Sequence, residues 1–346
     1  MKKEMKIELN TKLSTNVKDD KAMCLLCPRS CIISEGESGF CQIRKNINGI
    51  IQLSWYGQTS GFNVDPMEKK PLYHFYPGSS ILSLGTIGCN LACQFCQNWS
   101  ISQNKNNPAE PIKLFPEDIL ALSQKYRCLS VAFTYNEPIT AIEYVVDSAI
   151  LLRENNIKTV LVSSGYINKK PARELFKHID AANIDLKSIN NTFYQKYTDS
   201  TLKPVLDALS CIRENTQTWL EITNLVIPGL NDSKSDLHNL SKWIYHNLGS
   251  DTVLHFSAFH PAYKLTRISQ TSPEVLIKAR EIALSEGLRY IYCGNIIDNK
   301  TNSTYCHSCK SLLIERRGYH IVQNHLFDKG SCTKCKTRIP GFFNSP

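Results

Sequence analysis

The sequence predicts an α/β fold: a largely parallel sheet in the middle of the chain, flanked by two small cysteine-rich ends. Two observations carry that reading. Apolar and β-branched runs recur at residues 80–87, 130–135, 158–164, 182–186, 218–227, 252–259 and 289–292, with amphipathic stretches between them. Repetition of that kind is the pattern of βα units. Eleven of the fourteen cysteines fall into three clusters, one near each end and one directly after the first core strand.

Taken in order, residues 1–75 form an extension rich in Cys, Gly and Pro, with a strand expected at 50–56. Residues 76–299 carry the strand–helix alternation. There Ile142, Val145, Val146 and Ala149 line one helical face while Glu143 and Asp147 point away from it. Ser272-Pro273-Glu274 opens another helix with a cap and a first-turn proline, and Gly287 closes it. Short loops between such units argue for a partial (β/α)6 barrel of TIM type, with chemistry at the C-terminal ends of its strands. Residues 300–346 show short strands near 311–316 and 319–322 between two Cys-x-x-Cys pairs.

Composition excludes several classes. With 42% apolar and 21% charged residues the chain is neither disordered nor collagen-like. No apolar run approaches the roughly 18 residues that span a bilayer. The start, MKKEMKIELNTKLS, lacks the apolar region of a secretory signal, so a soluble, cytoplasmic protein is expected. The formal charge of +9 sits on the ends: residues 76–299 carry 21 basic and 21 acidic side chains, residues 300–346 carry 8 and 2.

In a reducing compartment clustered thiols mean metal rather than disulfides. The segment Gly88-Cys89-Asn90-Leu91-Ala92-Cys93-Gln94-Phe95-Cys96 offers three thiols and no fourth nearby. A structural zinc ion wants four closed ligands, and would need a distant His or a lone Cys here. A cubane iron–sulfur cluster can take three thiolates and leave one iron open for a ligand.

This Cys-x3-Cys-x2-Cys segment resembles the signature of the radical S-adenosylmethionine (radical SAM) superfamily, and the barrel would then be a radical SAM core. The resemblance implies that Cys89, Cys93 and Cys96 hold a [4Fe–4S] cluster whose open iron binds S-adenosylmethionine. Reductive cleavage then yields a 5′-deoxyadenosyl radical that abstracts hydrogen from a substrate. Phe95 sits where the family packs adenine. Glu137, in Thr134-Tyr135-Asn136-Glu137-Pro138, stands where the family has a Gly-Gly-Glu-like turn for the cofactor amine, although the two glycines are absent. Ser163, in Ser163-Ser164-Gly165, falls at a ribose or carboxylate position.

Asp185 and Lys187 share one face of their strand. They resemble the Asp-x-Lys of activating enzymes of glycyl-radical proteins, as His260 resembles a late His of those enzymes. Asn224 and Asn295 are weaker candidates.

Cys306, Cys309, Cys332 and Cys335 have zinc-ribbon spacing, and a segment this short needs a metal to fold. Cys24, Cys27, Cys31 and Cys41 supply four ligands for zinc or for an auxiliary iron–sulfur cluster. Thiolates in all three groups would absorb much of the cationic excess, so nucleic acid is not the expected partner.

Together with Cys-Leu-Leu-Cys-Pro at 24–28, Tyr-Asn-Glu-Pro at 135–138 and Ile-Pro-Gly at 339–341, these segments resemble the AmmeMemoRadiSam-system radical SAM enzymes, relatives of pyruvate formate-lyase activating enzymes. That resemblance implies a low-potential electron donor of flavodoxin or ferredoxin type and a Memo-like protein partner. It also implies a substrate such as a protein glycyl residue, with a small metabolite or other macromolecule as the alternative. A metal-stabilised nucleic-acid-binding protein without catalysis is the reading from a different class. Both metal-bound ends are candidates to cover the barrel mouth.

Overall fold

The computed structural model describes residues 13–17, 20–103 and 110–343. Its centre is an eight-stranded sheet. The strands are β1 (Gly61–Pro66), β2 (Ser80–Gly85), β3 (Ser130–Phe133), β4 (Lys158–Ser163), β5 (Ala181–Asp185), β6 (Trp219–Val226), β7 (Val253–Ala258) and β8 (Ile291–Gly294). They lie in chain order, and every neighbouring pair is parallel except β1–β2. The parallel part therefore runs one strand beyond a (β/α)6 unit. The antiparallel edge strand comes from the segment before residue 76.

The helices between strands are α1 (Pro116–Lys125), α2 (Ile142–Glu154), α3 (Lys169–Phe176), α4 (Asn191–Thr198), α5 (Lys203–Asn215), α6 (Lys234–Leu248) and α7 (Pro273–Ser285). Ser272 occupies the N-cap position of α7 but makes no capping hydrogen bond. Among the described residues no helix is long and apolar enough to cross a membrane.

Hydropathy alone misplaces one face of α2. The apolar residues Ile142, Val145, Val146 and Ala149 are buried as expected, but Glu143 is buried too. The N-terminal extension covers it: Arg44 forms a two-pronged ion pair with Glu143, at 2.8 Å and 2.7 Å. Tyr56 donates to Asp147 at 2.6 Å beside it. A polar stripe that looks solvent-facing is a docking surface whose charges are met by another segment.

The sheet is open, and its interior is filled differently at its two ends. Alternate residues of a strand share a face, so Glu221, Thr223 and Leu225 of β6 point one way. At the lower end residues 67–76 cross the interior, and Met67, Leu72 and Phe75 pack against Ile81, Ala132, Val160 and Ala181. The buried Glu221 carboxylate accepts from the backbone of Tyr73 (2.9 Å) and His74 (2.8 Å), and pairs with His255 Nε2 at 2.6 Å.

The C-terminal ribbon joins both edges of the sheet. Its Cys306, Leu313, Ile314, Cys332 and Ile339 pack against Tyr290 and Tyr292 around β8. Arg316, fully buried and bonded within the ribbon to Thr304 Oγ1 at 2.8 Å, reaches Glu68 at 3.3 Å and Tyr73 O at 2.9 Å on the other side. The closing Ile-Pro-Gly has a local reason. Gly341 has φ +140 and a Cβ there would stand 2.5 Å from His74 O, while His74 Nδ1 contacts Pro340 O at 2.7 Å. The ribbon therefore seals the side and base of the open barrel. Of its residues, Tyr319 reaches the upper cavity.

Candidate functional site

The loop after β2 carries Cys89, Cys93 and Cys96, and it is held from outside rather than by its own turns. Gly88 has φ +74, and an added Cβ would fall 2.0 Å from Cys41 O, so only glycine lets the two segments meet. Asn136 accepts from Thr86 N at 2.9 Å and donates to Thr86 Oγ1 and Gly88 O, both at 2.8 Å. Asn90 Nδ2 donates to Tyr166 O at 2.7 Å, and Arg29 Nε donates to Asn90 O at 2.5 Å. Ala92 N and Gln94 N donate to the end of α4 at Thr198 O and Tyr197 O, and Lys264 N donates to Gln94 O, each at 2.9 Å.

The three thiols line a cavity of ≈ 430 Å³ at the C-terminal ends of the strands. Phe95, Glu137, Ser163, Asp185 and Lys187 line the same cavity, so the C-terminal ends of four strands, β2 to β5, bring one set of candidates together. Burial pushes all three thiols up, Cys93 to about 12, so a bound metal is needed to hold them as thiolates at neutral pH. The donor set fits a cluster. Cys89, Cys93 and Cys96 are the cysteines around the cavity. Among the described residues, the group of metal-ligand atoms lying within 4.8 Å of one another is the C-terminal four, not these three. Sulfurs set wider than a single ion can gather suit separate irons of one cluster.

Glu137 is buried, and its carboxylate is engaged by its own chain. It accepts from Ile139 N (3.1 Å), Ser163 Oγ (2.7 Å), Ser164 N (2.9 Å) and Ser164 Oγ. Burial raises its pKa against these hydrogen bonds. Its first effect is to lock the ends of β3 and β4 together. Where the turn lacks glycine it carries strain: Tyr135 takes φ +69, with its carbonyl held by Asn98 Nδ2 at 2.6 Å.

Lys187 Nζ donates to Asp185 at 2.8 Å and lies 5.9 Å from the centre of the Phe95 ring. Burial disfavours its charge, but Asp185 and Cys93 outweigh that and keep the ammonium above its ordinary range. Asp185 is part-exposed at the cavity.

Not every candidate joins this set. His260 is exposed and lines an adjoining cavity of ≈ 490 Å³. Asn295 and Tyr319 border both cavities. Asn224 is buried and donates to Leu186 O at 2.7 Å, a bond that braces the turn after β5. Sequence reasoning missed Asn136, Asn90 and Arg29, since each acts across a long separation, and the cavity residues Lys69 and Lys70, whose ion pairs with Asp65 are local.

The C-terminal cysteines form a compact group. Cys306 and Cys335 sulfurs lie 3.5 Å apart, and Cys309 and Cys332 sulfurs 3.7 Å apart. Each Cys-x-x-Cys turn repeats one geometry, with Lys310 (φ +61) and Lys336 (φ +63) left-handed after the second cysteine. Their N–H groups donate to Cys306 O at 3.0 Å and Cys332 O at 2.9 Å. Four thiolates about 2.3 Å from one ion would stand about 3.8 Å apart in a tetrahedron, close to what is seen. Cys24, Cys27, Cys31 and Cys41 line a separate small cavity.

The model of the radical SAM superfamily matches residues 84–241. An uncharacterized protein of Methanocaldococcus jannaschii is 43% identical over 322 residues, covering 93% of this chain and 96% of that protein. The pyruvate formate-lyase-activating enzyme of Clostridium pasteurianum is 24% identical over 209 residues, covering 54% of this chain and 83% of that enzyme. A radical SAM methyltransferase from Sphaerobacter thermophilus shares the fold at a TM-score of 0.50, with 15% identity over 69% of this chain and 71% of its own.

Proposed function

The chain belongs to the radical SAM superfamily, and from that premise we propose that Cys89, Cys93 and Cys96 hold its [4Fe–4S] cluster and that the shared cavity takes S-adenosylmethionine. When bound, the pair supplies a one-electron reductive cleavage that delivers a hydrogen-abstracting 5′-deoxyadenosyl group. The observation that carries the reading is the set of three spread thiols around one cavity with no fourth cysteine in its lining.

The chain's own residues orient the ligand and exclude water. Phe95 offers a buried ring against Phe193, 5.9 Å away between centres, as the wall for adenine. Lys187 supplies a cation for the cofactor carboxylate. Asp185 and the Glu137–Ser163–Ser164 unit supply the acceptor side. The C-terminal four cysteines take zinc, as a closed site with no room for a further ligand.

A polypeptide, with a glycyl residue as the hydrogen donor, is the substrate we favour. The likeness to a pyruvate formate-lyase-activating enzyme supports it. So does the second cavity beside the first, which extends the site to the exposed His260 and Ile297. The electron donor would be of flavodoxin or ferredoxin type, and a Memo-like protein is a candidate partner.

Anaerobic reconstitution with iron and sulfide, reduction by dithionite and addition of S-adenosylmethionine should release 5′-deoxyadenosine, and Cys93→Ala should release none. Cleavage surviving that substitution would sink the assignment. Fractions of a cell extract that stimulate cleavage should lose their effect on protease treatment. A protease-resistant small-molecule fraction would favour a metabolite instead.

A further inference from the structure

We propose that the exposed face built on Trp99, Tyr263, Lys196 and Lys264 docks the protein that delivers electrons to the three-cysteine loop, and that this donor is acidic around its redox group. The inference rests on the proposed function, which requires such a donor, and adds the surface that receives it. The cysteine loop runs straight into this face. Cys96 is half-buried, and Gln97, Asn98 and Trp99 after it are exposed. Trp99 is 44% exposed, yet its ring is stacked on that of Tyr263, with centres 5.5 Å apart and planes 12° apart. An exposed indole already held by a partner ring loses little freedom on binding, and aromatics of this kind anchor protein interfaces.

The neighbouring segments are tied to the same loop. Lys264 N donates to Gln94 O at 2.9 Å, and Gln94 Nε2 donates to Lys196 O at 2.8 Å. Both lysine side chains are exposed, with Nζ of Lys264 5.2 Å from the Tyr263 ring centre and Nζ of Lys196 5.1 Å from that of Tyr197. Among the described residues neither forms an ion pair.

Charge and position choose the occupant. Segments 94–103, 191–201 and 259–272 carry Lys196, Lys264 and Arg267 against one acid, Asp199, and that carboxylate pairs with Arg29 at 3.2 Å. The excess is local, because residues 76–299 as a whole are balanced in charge. It favours encounter with an acidic partner at this spot. Trp99, Tyr263, Lys196 and Lys264 line neither the cavity of the three thiols nor the one adjoining it. A donor seated on them passes its electron while cofactor and substrate fill those cavities, which a partner entering through the cavity mouth cannot do. One electron leaves the donor's reduced group for the site of Cys89, Cys93 and Cys96. The donor is oxidised by one electron, and no bond or proton is exchanged.

The test uses the full, reconstituted chain as wild type, as Lys196→Glu with Lys264→Glu, as Trp99→Ala, and as a control carrying Lys329→Glu and Lys334→Glu on the basic ribbon. Titration calorimetry measures binding of oxidised flavodoxin and of oxidised [4Fe–4S] ferredoxin. Cleavage of S-adenosylmethionine is then driven by each reduced donor or by dithionite. Wild type should bind at least one of the two proteins, and more weakly as salt is raised. The charge-reversed face should bind it at least about tenfold more weakly, with a matching rise in KM for the donor and unchanged cleavage by dithionite. Trp99→Ala should act in the same direction; should it lower iron content, the charge variant alone decides. The control should behave as wild type does. Wild type that binds neither protein, or a charge variant that binds as tightly as wild type, would overturn the docking face. So would equal weakening in the control, or cleavage by dithionite that slows as much as cleavage by the donor. Unchanged donor affinity with lost stimulation by the protease-sensitive extract fraction would assign the face to the polypeptide substrate instead. Wild type that fails to cleave with dithionite would sink the proposed function, while the calorimetry still reads the face on its own.

Discussion

Cys89, Cys93 and Cys96 surround space, whereas Cys306, Cys309, Cys332 and Cys335 close on themselves. Both groups present cysteine thiols, so the ligand type does not separate them. The support does. Each C-terminal turn is self-contained, with a left-handed Lys310 or Lys336 folding its own two cysteines together. The central loop is splayed by partners far away in sequence, from Arg29 and Asn136 to Thr198 and Lys264. A thiol group that must leave coordination open is held by the rest of the fold; a closed one can hold itself.

The sharpest way to break this comparison is to remove ligands from each group. Cys309→Ser with Cys335→Ser should abolish zinc binding and unfold the ribbon, and with it the polar base of the barrel. A cooperative loss of structure by circular dichroism would show this. Cys93→Ala should leave melting of the zinc-loaded chain close to wild type while ending S-adenosylmethionine cleavage. If the two variants lost fold and activity alike, the division into structural and reactive sites would be wrong.

Next in size is the ion pair that ties the ribbon to residues 67–76 at the lower end of the sheet. Arg316→Met strands the buried Glu68 carboxylate, whose pKa burial already raises. Breaking such a pair costs roughly 3–5 kcal/mol. Urea denaturation should register the loss, and deletion of residues 300–346 should yield insoluble protein rather than an uncovered active enzyme. A ribbon that merely covered the barrel mouth would allow the truncated chain to fold.

Acid should loosen the same base more gently. Burial lowers His74 from 6.5 to about 4. The unfolded chain therefore binds the extra proton first, and stability falls as pH drops from about 6.5 towards 4. Between pH 7 and pH 5 this amounts to about 2 kcal/mol. The lowered Glu221 acts in the same direction, its contribution being lost as pH falls through its folded value. Denaturation midpoints at the two pH values, with His74→Gln as control, should show the slope and its reduction in the variant. An unchanged slope would contradict the buried neutral imidazole.

The most local effect expected is that of Asn136→Ala. Three hydrogen bonds to the cysteine loop would be lost, each worth about 1 kcal/mol net. Iron content after reconstitution should fall while the melting temperature moves only a few degrees. Full iron loading would show that the loop holds its shape without that brace.

These contrasts also explain what the sequence could disclose. The strands at 80–87, 158–164 and 252–259 were legible because β-branched runs bury both faces of a parallel sheet. The ribbon was legible because its geometry is local to two tetrapeptides. Asp185 and Lys187 were expected on one strand face, but β5 ends at Asp185, and the two meet through their ion pair at 2.8 Å in the turn that follows. Glu143 was misread as solvent-facing because periodicity cannot see Arg44 a hundred residues away. Glu137 was read for its charge, while its partners Ser163 and Ser164 arrive from another strand. His260 follows its strand as expected, but the turn carries it into the neighbouring cavity.

The central claim is that the cluster on Cys89, Cys93 and Cys96 keeps one iron open for the cofactor. Electron–nuclear double resonance on the reduced, reconstituted chain with S-adenosylmethionine labelled at its amino nitrogen tests it directly. The account predicts a nitrogen coupling to a cluster that disappears in Cys93→Ala and persists in Cys24→Ala with Cys27→Ala. A fully loaded cluster with no coupling to the labelled nitrogen would contradict it.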